Sequence, residues 1–147
     1  MGASQVMLLT VPNYQRGIVF PKGQNKIEYF KLLTESYWKE SQININELTN
    51  EIDDYIARAK YWKSTFPQWK FNDGIIDNDA TIYAVDYNIQ YFYFRSDMYE
   101  PEHTFLKNML SLCKRYRLFV YGLNGRSSNP IYEEVIAKIA NSSFYKF

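Results

Sequence analysis

His103 is the only histidine and Cys113 the only cysteine in the 147-residue chain. Any metal or nucleophilic chemistry would therefore rest on isolated side chains. No second His or Cys stands at ligand spacing from His103, which argues against zinc, where four such ligands are the rule. A Ser-His-acid triad lacks the GxSxG turn that would present its serine. "DNDA" at 77–80 resembles the start of a calcium loop but lacks the later Gly and terminal Glu. "GLNG" at 122–125 lacks the Lys and Ser/Thr of a phosphate loop and reads as a turn. No two carboxylates are placed to suggest paired acid-base work. The expectation is a protein without catalytic residues, metal or cofactor, with Cys113 a buried core thiol and His103 solvated in the first turn of a helix.

What the sequence has in abundance is aromatic side chains and an uneven charge. Tyr, Phe and Trp make up 18% of the residues, and the formal net charge is +1. That total hides a segment, 73–102, with one Arg against seven acids: Asp73, Asp77, Asp79, Asp86, Asp97, Glu100 and Glu102. Such blocks are more often solvated loops than sites. As a face, this one would attract a basic partner and speed its encounter. Inside the block lies "YNIQYFYFRSD", residues 87–97. Alternation by two places Phe92 and Phe94 on one side of a strand and Tyr91 and Tyr93 on the other, with Ile89 on the tyrosine side. Phe belongs under helices, whereas Tyr tolerates a half-wet face. Asp77, Asp79, Asp86, Tyr87, Tyr91, Tyr93, Asp97 and Glu100 are thus the candidate partner-binding residues.

The elements that must position them follow from periodicity and caps. "QVMLLTV" (5–11) reads as a buried first strand, and the turn-rich "PNYQRG" and "PKGQ" follow it. Ile27, Phe30, Leu33 and Tyr37 mark an amphipathic helix. A second helix is expected from 46 to Pro67, with Asn46 or Thr49 as cap and a stripe of Ile52, Tyr55, Ile56, Ala59, Trp62 and Phe66. Glu51, Asp53 and Asp54 would then lie near its positive end. "QWKFNDGIIDNDA" reads as a loop with turn chemistry at Asn72-Asp73-Gly74. A hairpin of roughly 79–85 and 89–95 follows, turning at "DYN". A third helix starts at Pro101, with Phe105, Met109, Leu112 and Tyr116 on one face. Then come a short strand "LFVYG", the loop "LNGRSSNP" and a last helix opened by Asn129-Pro130. The order β-α-α-β-β-α-β-α predicts a single α+β domain over 1–147, with helices on a small, mostly antiparallel sheet. Residues 1–4 read as a cloning remnant or a disordered start.

The stretch "YFYFRSDMYEPEHTFLKNMLSLCKRYRLFVYGLNG", with an upstream helix ending "STFPQWK", resembles small bacterial α+β proteins encoded beside polymorphic or contact-dependent inhibition toxins. In that group a two-strand unit leads into a helix ending "lA-kk-gL-vyDpQ" and then a last helix. Gly122-Leu123-Asn124 stands here where the group has Asp-Pro-Gln. The resemblance implies an immunity protein that binds a cognate toxin domain and covers its active site. A nuclease domain would be basic where it holds phosphate.

Two other readings remain open. Sheet aromatics could stack bases, although the strands lie in the most acidic part of the chain and no nucleic-acid partner is expected. A small enzyme would need a pocket. No apolar run approaches the roughly 18 residues of a membrane span, so no membrane partner is expected. The lone cysteine suits a reducing, cytoplasmic setting.

Overall fold

The computed structural model describes residues 5–12, 27–122 and 127–140. Among these, six strands form one antiparallel sheet in the order β2-β3-β4-β1-β5-β6. The strands are β1 (Gln5–Pro12), β2 (Gln68–Asn72), β3 (Asp77–Val85), β4 (Asn88–Asp97), β5 (Leu118–Tyr121) and β6 (Ser127–Ser128). The helices are α1 (Ile27–Ser41), α2 (Ile45–Asp53), α3 (Thr104–Arg115) and α4 (Tyr132–Ala140). The chain is α+β, as its pattern predicts. Residues 1–4, the turns after β1, Leu123–Gly125 and the side chains of Ile27, Phe30 and Leu33 lie outside the described residues.

The core forms where one face of the sheet meets helices. Val6, Leu8, Ala80, Ile82, Phe92, Phe94, Leu118 and Val120 share it with Leu48 and Ile52 of α2, Leu106, Met109 and Cys113 of α3, and Val135 and Ile139 of α4. The expected division of the aromatic strand holds. Phe92 and Phe94 are fully buried here, while Tyr91 and Tyr93 are half-buried on the opposite face. Ile89 departs from the expectation. Tyr83 pairs with Tyr91 but Ala84 pairs with Ile89, so Gln90 is an extra residue, and this bulge rotates Ile89 into the core.

α1 meets β4 where β1 leaves it. β1 pairs with β4 over Gln5–Leu9 and with β5 over Leu9–Pro12. Hydroxyl groups then reach the β4 carbonyls: Thr10 donates to Phe92 O at 2.6 Å and Thr34 of α1 to Gln90 O at 3.5 Å. Trp38 joins the main core, while its neighbour Tyr37 packs with Val11, Tyr91 and Tyr121 on the other side.

The second helix is much shorter than its apolar stripe predicts. Asn44 caps it, its side chain accepting from the amides of Asn46 (2.8 Å) and Glu47 (3.2 Å), and α2 ends at Asp53. Sheet pairing outweighs the helical pattern beyond that point. Residues 57–59 run beside β2, with Ala59 N donating to Gln68 O and Lys70 N to Ala57 O. Farther along, Thr65 and Pro67 carbonyls accept from Ala84 N and Ile82 N of β3. The strap covers an edge that would otherwise expose unpaired backbone. Residues 68–72, expected as loop, form β2 for the same reason. Asp53 consequently lies at the negative end of its helix rather than the positive one. Arg58 offsets this with a two-point ion pair at 3.0 and 2.9 Å, and the Trp69 indole donates to Asp53 at 2.9 Å. The Arg58 bond, foremost, holds the Asp53 carboxyl below the usual carboxylate range, with Trp69 adding to it against the effect of burial.

Two further differences are local. α4 begins at Tyr132, two residues past Pro130. His103, expected to be solvated, has both ring nitrogens engaged: Nδ1 lies 2.7 Å from Tyr132 Oη and Nε2 lies 2.9 Å from Met98 O. Because a carbonyl only accepts, Nε2 donates to Met98 O; in the neutral ring Nδ1 then accepts from the tyrosine hydroxyl. Cys113 is buried, as expected, and burial pushes its thiol well up.

Candidate partner-binding site

At one end of the sheet the β2–β3 turn, the end of β4 and the start of α3 come together. The turn is held by its own side chains. Asn72 Oδ1 accepts from Gly74 N at 2.9 Å, and Asp73 Oδ1 accepts from Ile75 N at 2.9 Å and Ile76 N at 2.7 Å. Gly74 supplies the positive φ of +89° that the turn requires. The turn chemistry legible in Asn72-Asp73-Gly74 is therefore present, and the two amide bonds lower the Asp73 pKa. Ile76 points inward and Ile75 stands out, 80% exposed.

A buried polar network locks this turn to its neighbours. Asp97 Oδ2 accepts from Asp77 N at 3.0 Å and Oδ1 from Tyr99 N at 3.0 Å. Asn78 Oδ1 accepts from Asp97 N at 2.7 Å, while its amide donates to Glu100 Oε1 at 3.3 Å. The same Glu100 oxygen accepts from Phe105 N at 3.0 Å. Glu100 thus satisfies an amide of the first α3 turn, for which the cap residue His103 provides no side-chain bond. Two more exposed aromatic residues belong to this end of the sheet: Phe71 in β2 is 47% exposed, and Tyr99, two residues past β4, is 66% exposed. Ile75 and Tyr99 thus project from backbone fixed by side-chain hydrogen bonds, and Phe71 from the β2–β3 ladder.

The fold divides the candidate residues read from sequence: Asp77, Asp79, Asp97 and Glu100 gather at this end, whereas Asp86 and Tyr87 lie at the β3–β4 turn and Tyr91 and Tyr93 between the two. Asp77 pairs with Lys70 at 2.8 Å. Asp79 is buried and bonds Arg95 at two points, 2.9 and 2.7 Å, so the segment's single Arg is spent inside it. Asp97 is buried in the network just described. Asp86 and Tyr87 form the β3–β4 turn, both with positive φ, 51° and 65°. These angles are those of a two-residue hairpin turn. Tyr91 and Tyr93 form a ladder with Tyr83: ring centroids lie 5.4 Å (Tyr83–Tyr91) and 5.9 Å (Tyr91–Tyr93) apart, at 14° and 23°. Burial, then the neighbouring tyrosines, pushes the Tyr91 phenol up to about 12. These rings turn their faces to one another rather than offering them to bases.

Phe71 also lines a cleft of about 490 Å³ between the end of α2, β2 and the start of α3. Tyr55, Phe71, Asp54, Glu100 and Thr104 are among its lining residues. Sequence reading missed Phe71, Ile75 and Tyr99, because exposure of an apolar residue leaves no mark on composition. The nearest signal was the turn tripeptide, which makes its following residue a surface residue. Compared with protein-family models, curated proteins and solved structures, the chain shows no significant match.

Proposed function

We propose that the chain is an immunity-type binding protein that works in the cytoplasm and neutralises a toxin domain by covering its active site or substrate groove. The observation that carries this reading is the rigid end of the sheet, where Phe71, Ile75 and Tyr99 are exposed beside Asp54, Asp73 and Glu102. Hot spots combine aromatic or apolar anchors with fixed geometry, because ordering loops on binding consumes affinity. Full burial of one such side chain contributes about 1.5–3 kcal/mol. The exposed carboxylates suit a basic partner, and a domain that holds phosphate is basic at its groove. An inhibitor of this kind needs no catalytic group of its own.

The test is protection. Cells expressing the toxin domain encoded beside this chain should grow when the chain is co-produced. The double variant Ile75→Ser, Tyr99→Ala should bind that domain at least about 30-fold more weakly, two modest hot spots at about 1 kcal/mol or more each, while its unfolding midpoint stays close to the parent's. Undiminished binding by a folded double variant would remove this end of the sheet as the interface. Failure of the parent chain to protect would remove the immunity reading itself.

A further inference from the structure

We infer that the cleft between α2, β2 and α3 is a binding site for an arginine side chain, presented by the protein partner proposed above. The inference rests on that partner reading for its biology, but the chemistry of the cleft stands separately. Its volume, about 490 Å³, is ample for one side chain. Phe71 and Tyr55 contribute aromatic walls, and guanidinium planes stack on aromatic faces. Its acids are unequal. Asp53 is already neutralised by Arg58 at 2.9 Å. Asp54 and Glu100 form no ion pair among the described residues. The side-chain hydrogen bonds of Glu100 fall on Oε1, from Asn78 and Phe105 N, which leaves Oε2 to accept from a ligand.

Arginine fits better than lysine for a geometric reason. Its flat fork can lie against a ring and donate to carboxylates at its edge together, whereas an ammonium is a point charge on a flexible stem. Phe71 belongs both to this cleft and to the exposed trio, so an arginine seated here would sit beside the apolar anchors of the same interface. Charge-assisted bonds bordered by apolar contact are the arrangement that gives interfaces their register.

The experiment uses the full chain, labelled for two-dimensional amide NMR and titrated at low salt with the blocked tripeptide acetyl-Gly-Arg-Gly-amide. Its neutral isostere, with citrulline in place of arginine, is the control. Saturable shifts at Phe71, Asn78, Glu100, Thr104 and Asn108 are expected with arginine, and binding at least about tenfold weaker with citrulline. Asp54→Asn and Glu100→Gln should each weaken the arginine peptide severalfold; glutamine keeps an acceptor for Phe105 N, so the helix start is retained. Val85→Ala, at the far end of the β3–β4 hairpin, should leave it unchanged. Absence of saturable shifts, or equal binding of the citrulline peptide, overturns the inference. Either result leaves the Ile75 and Tyr99 protection test intact, so the two readings fail separately. Should Glu100→Gln fail to fold, exposed Asp54→Asn and the citrulline control decide the matter.

Discussion

The two ends of the β3–β4 hairpin carry similar residues and use them differently. β3 has nine residues, which puts the ends roughly 27 Å apart at about 3.3 Å per residue. At the end near Asp77, the buried acids hold backbone and basic side chains, and an exposed apolar trio stands on the scaffold they make. At the turn, Asp86 and Tyr87 are exposed and the exposed apolar residues are Val85 and Tyr87. Lys63 borders Tyr61, Phe66 and Ala84 nearby, so that end is less uniformly acidic. A run of acids in sequence is therefore not a face in space. Burial divides it into carboxylates that build and carboxylates that remain free.

Reversing Asp79 should have the largest effect. Asp79→Lys places a cation beside Arg95 and Lys70 in a site that is 4% exposed, and should cost about 3 kcal/mol, the lower end for a broken buried pair because Arg95 reaches solvent. Urea unfolding reads this directly, and a near-neutral result would dissolve the contrast between structural and free acids. Asp97→Ala comes next. It strands the amides of Asp77 and Tyr99 and should cost about 2 kcal/mol, with amide exchange accelerating first around Ile75 and Tyr99.

The turn end should respond in the opposite direction. Tyr87 has φ 65°, a conformation that costs a side-chain-bearing residue about 1 kcal/mol or more. Tyr87→Gly should accordingly raise the urea midpoint by about 1 kcal/mol equivalent. A loss of stability would mean that the ring makes contacts outweighing the strain. Strain retained at an exposed tyrosine is the one feature that keeps this end of interest as a surface.

The smallest effect concerns pH. The Asp53 pKa is lowered in the folded chain, so its contribution is complete above the unfolded value of 3.8 and disappears as pH falls through the lowered folded value. With Arg58 partly exposed and the pair screened, less than about 1 kcal/mol is at stake. Asp53→Asn should flatten the fall in stability between about pH 4 and pH 2 without changing the neutral-pH slope, as measured by urea midpoints across that range. An unaltered acid profile would assign that fall to other carboxylates.

Much of this molecule is legible in the order of its residues, and particular failures show where legibility ends. Period-two alternation placed Phe92 and Phe94 in the core because strand geometry is local. It misplaced Ile89 because a bulge depends on the partner strand. Helical spacing found α3 for the same local reason, yet extended α2 through residues 54–66, where an apolar stripe was present and an unpaired sheet edge had the stronger claim on the backbone. The turn at Asn72-Asp73-Gly74 was readable, since asparagine, aspartate and glycine shape their own backbone.

The sequence by itself determined the α+β pattern, the hairpin and the inward phenylalanines, all set by neighbours a few residues apart. Only the tertiary structure decided which acids are buried and paired, that Glu100 bonds the start of α3, and that Phe71, Ile75 and Tyr99 stay exposed near one end of the sheet, Phe71 lining a cleft. Those outcomes depend on contacts between residues far apart in the chain, such as Asp97 with Asp77 and Asp79 with Arg95. Burial and charge compensation arise only once the chain has closed on itself.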